Sequence, residues 1–111
     1  MNNDYKEVTM EKTTRLKVDG WSNSRFARIE GNLVGFEVMS LDCGCSTCFA
    51  RLSAVENRMQ KSGLKWRIVP TQIPEREGGP SLVLMVETPQ IPERLDDFFG
   101  DLLGLQIREV A

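Results

Sequence analysis

Three cysteines fall within six residues, in the run Cys43, Gly44, Cys45, Ser46, Thr47, Cys48, and the 111-residue chain has no others. An odd number so closely spaced is a poor disulfide framework. In a reducing compartment, clustered thiols serve metal binding or thiol chemistry. Three thiolates are soft ligands suited to Cu(I), Zn(II) or another thiophilic ion. A closed structural zinc site takes four ligands, and iron–sulfur clusters usually take four cysteines. One chain therefore supplies an incomplete set, and the fourth ligand would come from Asp42, a water or a second chain. The competing explanation is packing, because free cysteine buries like a small hydrophobe. Cys45 and Cys48 share a helical stripe with Phe49 and Leu52, as core residues would. The chain has no histidine, which removes the commonest general base and the commonest metal ligand.

The elements that must position these cysteines follow from patterning. Residues 1–12 lack periodicity and are expected to be mobile or an edge extension. Arg15 to Val18 and Phe26 to Glu30 alternate as strands, and Gly31-Asn32 is a two-residue hairpin signal before the strand Leu33 to Leu41. Phe49, Leu52, Val55 and Met59, with Cys45 and Cys48, make one stripe of a helix from Ser46 to Lys61, ended by Ser62-Gly63. The thiols thus sit where a strand hands over to a helix, whose free N–H groups stabilise thiolate. Gly44 lets the backbone fold tightly enough for three sulfurs to converge.

Leu64 to Val69 alternates as a strand. The prolines of 70–80 exclude a central strand there and make a loop. Ser81 to Glu87 reads as a buried strand. Pro92 suits the first turn of a second helix, with Ile91, Leu95, Phe98, Phe99, Leu102 and Leu103 on its apolar face and Gly104 at its end. Leu105 to Val110 is the last strand. The expected fold is α+β: a ferredoxin-like β-α-β-β-α-β sandwich over 33–111, with two helices on one sheet face. A short N-terminal β meander over 13–32 precedes it, all within one domain of 1–111.

The segment from Phe36 through Cys45-Ser46-Thr47-Cys48-Phe49-Ala50-Arg51-Leu52 resembles the heavy-metal-associated domain of copper chaperones and metal-transporting ATPases. That family is ferredoxin-like and carries Met-x-Cys-x-x-Cys between its first strand and first helix. The resemblance implies Cys45 and Cys48 as the ligands of Cu(I) or a similar ion. Leu105 would stand near the loop residue that covers the metal. Cys43 stands where the family has methionine, Asp42 where it has glycine, and the 70–80 loop has no counterpart. The match covers about 17 residues, and one fold hosts many functions.

Enzyme signals are otherwise absent: no histidine triad, Walker loop or dinucleotide turn. Glu75 and Glu77, with Arg76 between them, read as a solvated loop. Fourteen basic and sixteen acidic residues give a net charge of −2 with no basic patch, which argues against nucleic-acid binding. Sparse strand aromatics argue against RNA on the sheet face. Glu93, Asp96, Asp97 and Asp101, opposed by Arg94, form either a solvated helix face or a contact surface for a basic partner. Trp66 reads as core, whereas Trp21 sits in a polar loop and could face a partner. The 70–80 loop is a contact loop or a plain connector. No apolar run reaches the length of a membrane span and the N-terminus has no signal-peptide core, so a cytoplasmic location is expected.

Two functions compete. One is a non-enzymatic carrier or sensor of a thiophilic ion held by Cys43, Cys45 and Cys48. The other is a protein–protein interaction module, such as a small phage or mobile-element inhibitor or adaptor acting on a host protein complex. A metal bridging the cysteines of two chains would make a homodimer.

Overall fold

A computed structural model of the protein describes residues 8–21, 24–76 and 78–110, apart from the side chain of Val8. Residues 1–7, which carry most of the extension expected to be mobile, lie outside the described residues, as does Glu77.

Strands β1 (Val8–Thr9), β2 (Thr14–Val18), β3 (Ser24–Glu30) and β4 (Leu33–Ser40) lead into helix α1 (Ser46–Gln60). Strands β5 (Lys65–Gln72) and β6 (Ser81–Glu87), helix α2 (Leu95–Leu103) and strand β7 (Ile107–Glu109) follow. The strands form one seven-stranded sheet in the order β1-β5-β6-β4-β3-β2-β7. All neighbours are antiparallel except the short β1–β5 edge pair.

This order overturns the ferredoxin-like expectation. That arrangement places the last strand beside the first strand of the β-α-β-β-α-β unit. Here β3 pairs along β4, with Phe26 opposite Phe36, and β2 pairs along β3. Strand β7 is displaced outward by two strands and pairs with β2, with Val18 opposite Ile107. The meander does not precede a finished sandwich; it is built into the middle of the sheet. The Gly31-Asn32 turn, with Gly31 at φ +56°, closes a tight hairpin that seats β3 on the edge of β4 where the last strand was expected.

The larger core lies between the sheet and both helices. Leu16, Val18, Phe26, Val34, Phe36, Leu84 and Val86 meet Val55, Met59, Leu95, Phe99 and Leu103 there. Ring contacts tie the layers together, with the Phe36 and Phe99 centroids 5.0 Å apart. The opposite face has a smaller core of Met10, Ala27, Ile73, Val83 and Met85. Burial on both faces explains the continuous apolar run of β6. For 8–12, of the two expectations, the edge extension is the one seen: β1 pairs with Thr71 and Gln72 at the sheet edge, and Met10 is fully buried. Gly35 makes this closeness possible, since a Cβ there would lie 2.9 Å from Ile29 Cδ1 and 3.0 Å from Met10 Sδ.

Smaller corrections follow from packing. Strand β5 runs through Pro70, which the loop reading excluded. Among the described residues β1 pairs with Thr71 and Gln72 and not with Pro70, which lies on a strand next to the sheet edge, where proline is tolerated. Phe49 is 53% exposed and Ile91 56% exposed, so neither belongs to the helix core faces. Cys48, Val55 and Met59 are the buried residues of α1, and Phe49 lies about 100° round the helix from Cys48. Helix α2 starts at Leu95 with Arg94 as its N-cap, placing Pro92 before the helix. Gly104 closes it at φ +67°, as expected of a left-handed C′ glycine.

Candidate metal centre

The cysteines lie at one end of the sheet, where β4 turns into α1. The register of β4 against β6 shifts between Glu37 and Met39. The resulting bulge puts both Val38 and Met39 into the helix-side core and re-aims the end of the strand, a usual consequence of an extra residue. The chain then turns, with the Cys43 N–H donating to the Ser40 carbonyl at 3.2 Å. Cys45 is the N-cap of α1, in extended conformation at φ −78°, ψ 159°. Its Sγ accepts from the Cys48 N–H at 3.4 Å, so sulfur takes the place that a serine or aspartate oxygen ordinarily holds.

These constraints bring the three sulfurs together. Sγ of Cys43 lies 3.0 Å from that of Cys48 and 3.3 Å from that of Cys45, and the Cys45–Cys48 separation is 3.3 Å. All three are free thiols; Cys45 is exposed, Cys43 half-buried and Cys48 buried. Among the described residues they are the only group of three or more cysteine, histidine, aspartate or glutamate ligands found close enough to hold a metal ion. Cys45 and Cys48 are shifted in opposite directions. The Cys48 N–H, and then the thiols of Cys43 and Cys48, hydrogen-bond Cys45 and hold its pKa down to about 7. Hydrogen bonding with Cys43 and Cys45, together with burial, pushes the Cys48 thiol up to about 12. Of these two, the exposed sulfur at the positive end of the helix ionises the more readily.

Asp42, one of the three suggested sources of a fourth ligand, is engaged elsewhere. Its Oδ2 accepts from the Gly79 N–H at 3.1 Å, tying the 73–80 loop to the cysteine turn. Beside Cys43 and Cys48 lies a cavity of about 200 Å³ lined also by Trp21, Glu37, Arg51, Arg76 and Ser81. Glu37 is buried, and its carboxylate accepts from Arg76 Nε at 3.0 Å and Nη2 at 2.7 Å, and from Ser81 Oγ at 2.6 Å. The sequence reading missed this network. Its signal was a glutamate inside the apolar run of β4, since a charge in a buried strand requires a partner.

The residues suggested for partner contact differ in exposure. Trp21 is half-buried against the core, its ring 5.7 Å from that of Phe36, and the Arg51 guanidinium stands over it at 5.2 Å. Asp96 is buried, held by Arg94 Nη2 at 2.7 Å and accepting from the Asp97 N–H at 2.9 Å. Glu93, Asp97 and Asp101 are exposed. Leu105 sits in a hollow with Gly20, Trp21, Thr47 and Arg51 beside the first turn of α1. Trp66 is half-buried against the larger core. No helix among the described residues is long and apolar enough to cross a membrane.

Comparison with known proteins adds no family. A scan of family models, a search of curated proteins and a search of solved structures each return no match. The triad must therefore be read from its own chemistry.

Proposed function

We propose that this protein binds one thiophilic metal ion through Cys43, Cys45 and Cys48 and acts as a carrier or sensor rather than an enzyme. The observation that supports this reading is the convergence of three sulfurs within 3.3 Å of one another at a helix start. Packing alone does not call for it: Cys45 is exposed, so it fills no core. The first turn of the helix lowers the cost of ionising the outermost thiol, which a metal requires of its ligands. The likeness of Cys45-Ser46-Thr47-Cys48 to the heavy-metal-associated motif agrees in placing two ligands at a strand–helix junction. Cys43 is the third ligand here, in place of that family's methionine.

A protein partner at the same site is the second reading, and Leu41 and Phe49 favour it. They flank the cysteine run in the chain and stay 44% and 53% exposed, so a partner closing over the cysteines would bury both. The test of the first reading is native mass spectrometry of reduced protein in chelator-free buffer, beside the Cys43→Ser/Cys45→Ser/Cys48→Ser variant. With one equivalent of Cu(I) or Zn(II), one metal per chain is expected in the parent and none in the variant. A parent that stays bare, with both proteins folded, defeats the reading.

A further inference from the structure

The sulfur triangle is tighter than the ions first considered would make it. With bonds of roughly 2.3 Å, a tetrahedral zinc spreads its sulfurs ~3.8 Å apart, and a planar three-coordinate ion with similar bonds spreads them ~4.0 Å. The separations here are 3.0, 3.3 and 3.3 Å. A trivalent group-15 centre bonds through three p-type orbitals and keeps a lone pair on its fourth side. Its bond angles stay close to a right angle, so bonds of similar length place the sulfurs ~3.3–3.5 Å apart, a spread that the two 3.3 Å contacts of the free thiols match and that needs the Cys43–Cys48 pair, at 3.0 Å, to open slightly. Such a centre also has no use for a fourth ligand. The described residues offer three cysteines, and the nearby Asp42 carboxylate is turned to the Gly79 N–H.

We propose that Cys43, Cys45 and Cys48 form a pyramidal three-thiol site for trivalent arsenic or antimony, taken up as the neutral oxyacid. This rests on the soft-metal reading and narrows it. The exchange balances without an oxidant. Each thiol forms one arsenic–sulfur bond as one arsenic–hydroxide bond breaks, and the thiol proton leaves with that hydroxide as water. Three exchanges release three waters, and arsenic remains trivalent throughout. No net charge is created, so the buried Cys48 thiol can take part without a thiolate first standing free in the core. Cys45, exposed at the helix start, is the entry point, and Cys43 and Cys48 close the triangle behind it.

The test offers reduced protein one equivalent of sodium arsenite, with one equivalent of Zn(II) or Cu(I) in parallel and in competition. Native mass spectrometry and arsenic X-ray absorption are the readouts. The expected product has one arsenic less three hydrogens per chain, three arsenic–sulfur bonds and no arsenic–oxygen bond, and it survives equimolar zinc. Each single Cys→Ser variant, checked for folding by circular dichroism, should lose about 100-fold in arsenite retention, as expected when one arm of a multidentate site is cut. Zinc or copper bound one per chain while arsenite is refused or displaced would overturn the proposal and leave the soft-metal reading standing. Refusal of all three ions by folded protein would overturn both. Undiminished retention in any single variant would reduce the site to a two-thiol adduct and overturn the three-thiol assignment.

Discussion

Helices α1 and α2 each open with N–H groups that have no partner within the helix, and the chain answers them with different chemistry. At α2 the answer is a carboxylate that is already spoken for: Asp96 accepts from the Asp97 N–H and is gripped by Arg94. At α1 the answer is sulfur. Cys45 Sγ accepts from the Cys48 N–H and from the Cys43 thiol and donates to Cys48, and these are weak contacts of soft donors with no cation among them. The first arrangement is closed and contributes to stability. The second is open, and a weak acceptor stands where an oxygen would bind better. Charge at a helix start thus reads as structure when an internal cation neutralises it, and as chemistry when soft donors converge with capacity left over.

The contrast is sharpest in thiol reactivity. Cys45 is held down to about 7 by the helix N–H and its neighbours, while Cys48 is pushed up to about 12. At neutral pH Cys45 is therefore far richer in thiolate than Cys48. The higher nucleophilicity of the more basic thiolate offsets part of this, leaving Cys45 about 100-fold faster. Timed iodoacetamide labelling with peptide mapping should find Cys45 modified first. Its rate should climb about tenfold per pH unit below 7 and level off above it, because only the thiolate attacks. Labelling that begins at Cys48, or that rises only above pH 9, would show that the first turn of α1 does not activate its cap.

The closed helix start should show itself in stability. Asp96→Ala removes the acceptor of the Asp97 N–H and the partner of Arg94 inside a buried position. It should cost about 1–2 kcal/mol in urea unfolding. The dependence on pH has a definite sign. Arg94, first, and the Asp97 N–H hold the Asp96 carboxyl below its ordinary value of 3.8, against the opposing effect of burial. Its contribution is therefore complete above 3.8 and is lost as pH falls through the lowered folded value. The parent should lose stability over that acid range more steeply than Asp96→Ala. Parallel curves would mean that the Arg94–Asp96 pair leaves α2 indifferent.

How much of this was legible in the sequence follows from the range of the forces involved. Helix α1, strand β6 and the turn at Gly31-Asn32 were readable because periodicity and turn chemistry are local. The meeting of Cys43, Cys45 and Cys48 was readable for the same reason, since all three lie within one turn and one helix start. The sheet order was not. Whether β7 or β3 takes the edge of β4 depends on competing pairings between distant segments, and element order alone does not decide it. The burial of Asp96 was hidden because Arg94 reads as an opposing charge on a solvated face. The Glu37–Arg76–Ser81 network was hidden because its members are brought together only by the pairing of β4 with β6 and the return of the 73–80 loop.

The smallest expected effect is the one that separates stability from chemistry at α1. Cys45→Ser keeps the shape of the cap and replaces sulfur with oxygen, a better acceptor for a helix N–H. The Cys48 N–H lies 3.4 Å from Sγ, and an oxygen on the shorter C–O bond would need a slight inward shift of the turn, which the exposed position of Cys45 leaves room for. The variant should therefore melt at the same temperature as the parent or slightly above it, while losing the fast-labelling thiol and one of the three proposed metal ligands. A residue kept for packing would behave in the opposite way, with stability falling and no chemistry to lose. A clear drop in melting temperature for Cys45→Ser, with ion binding intact, would assign the cysteine to the fold and remove the contrast between the two helix starts.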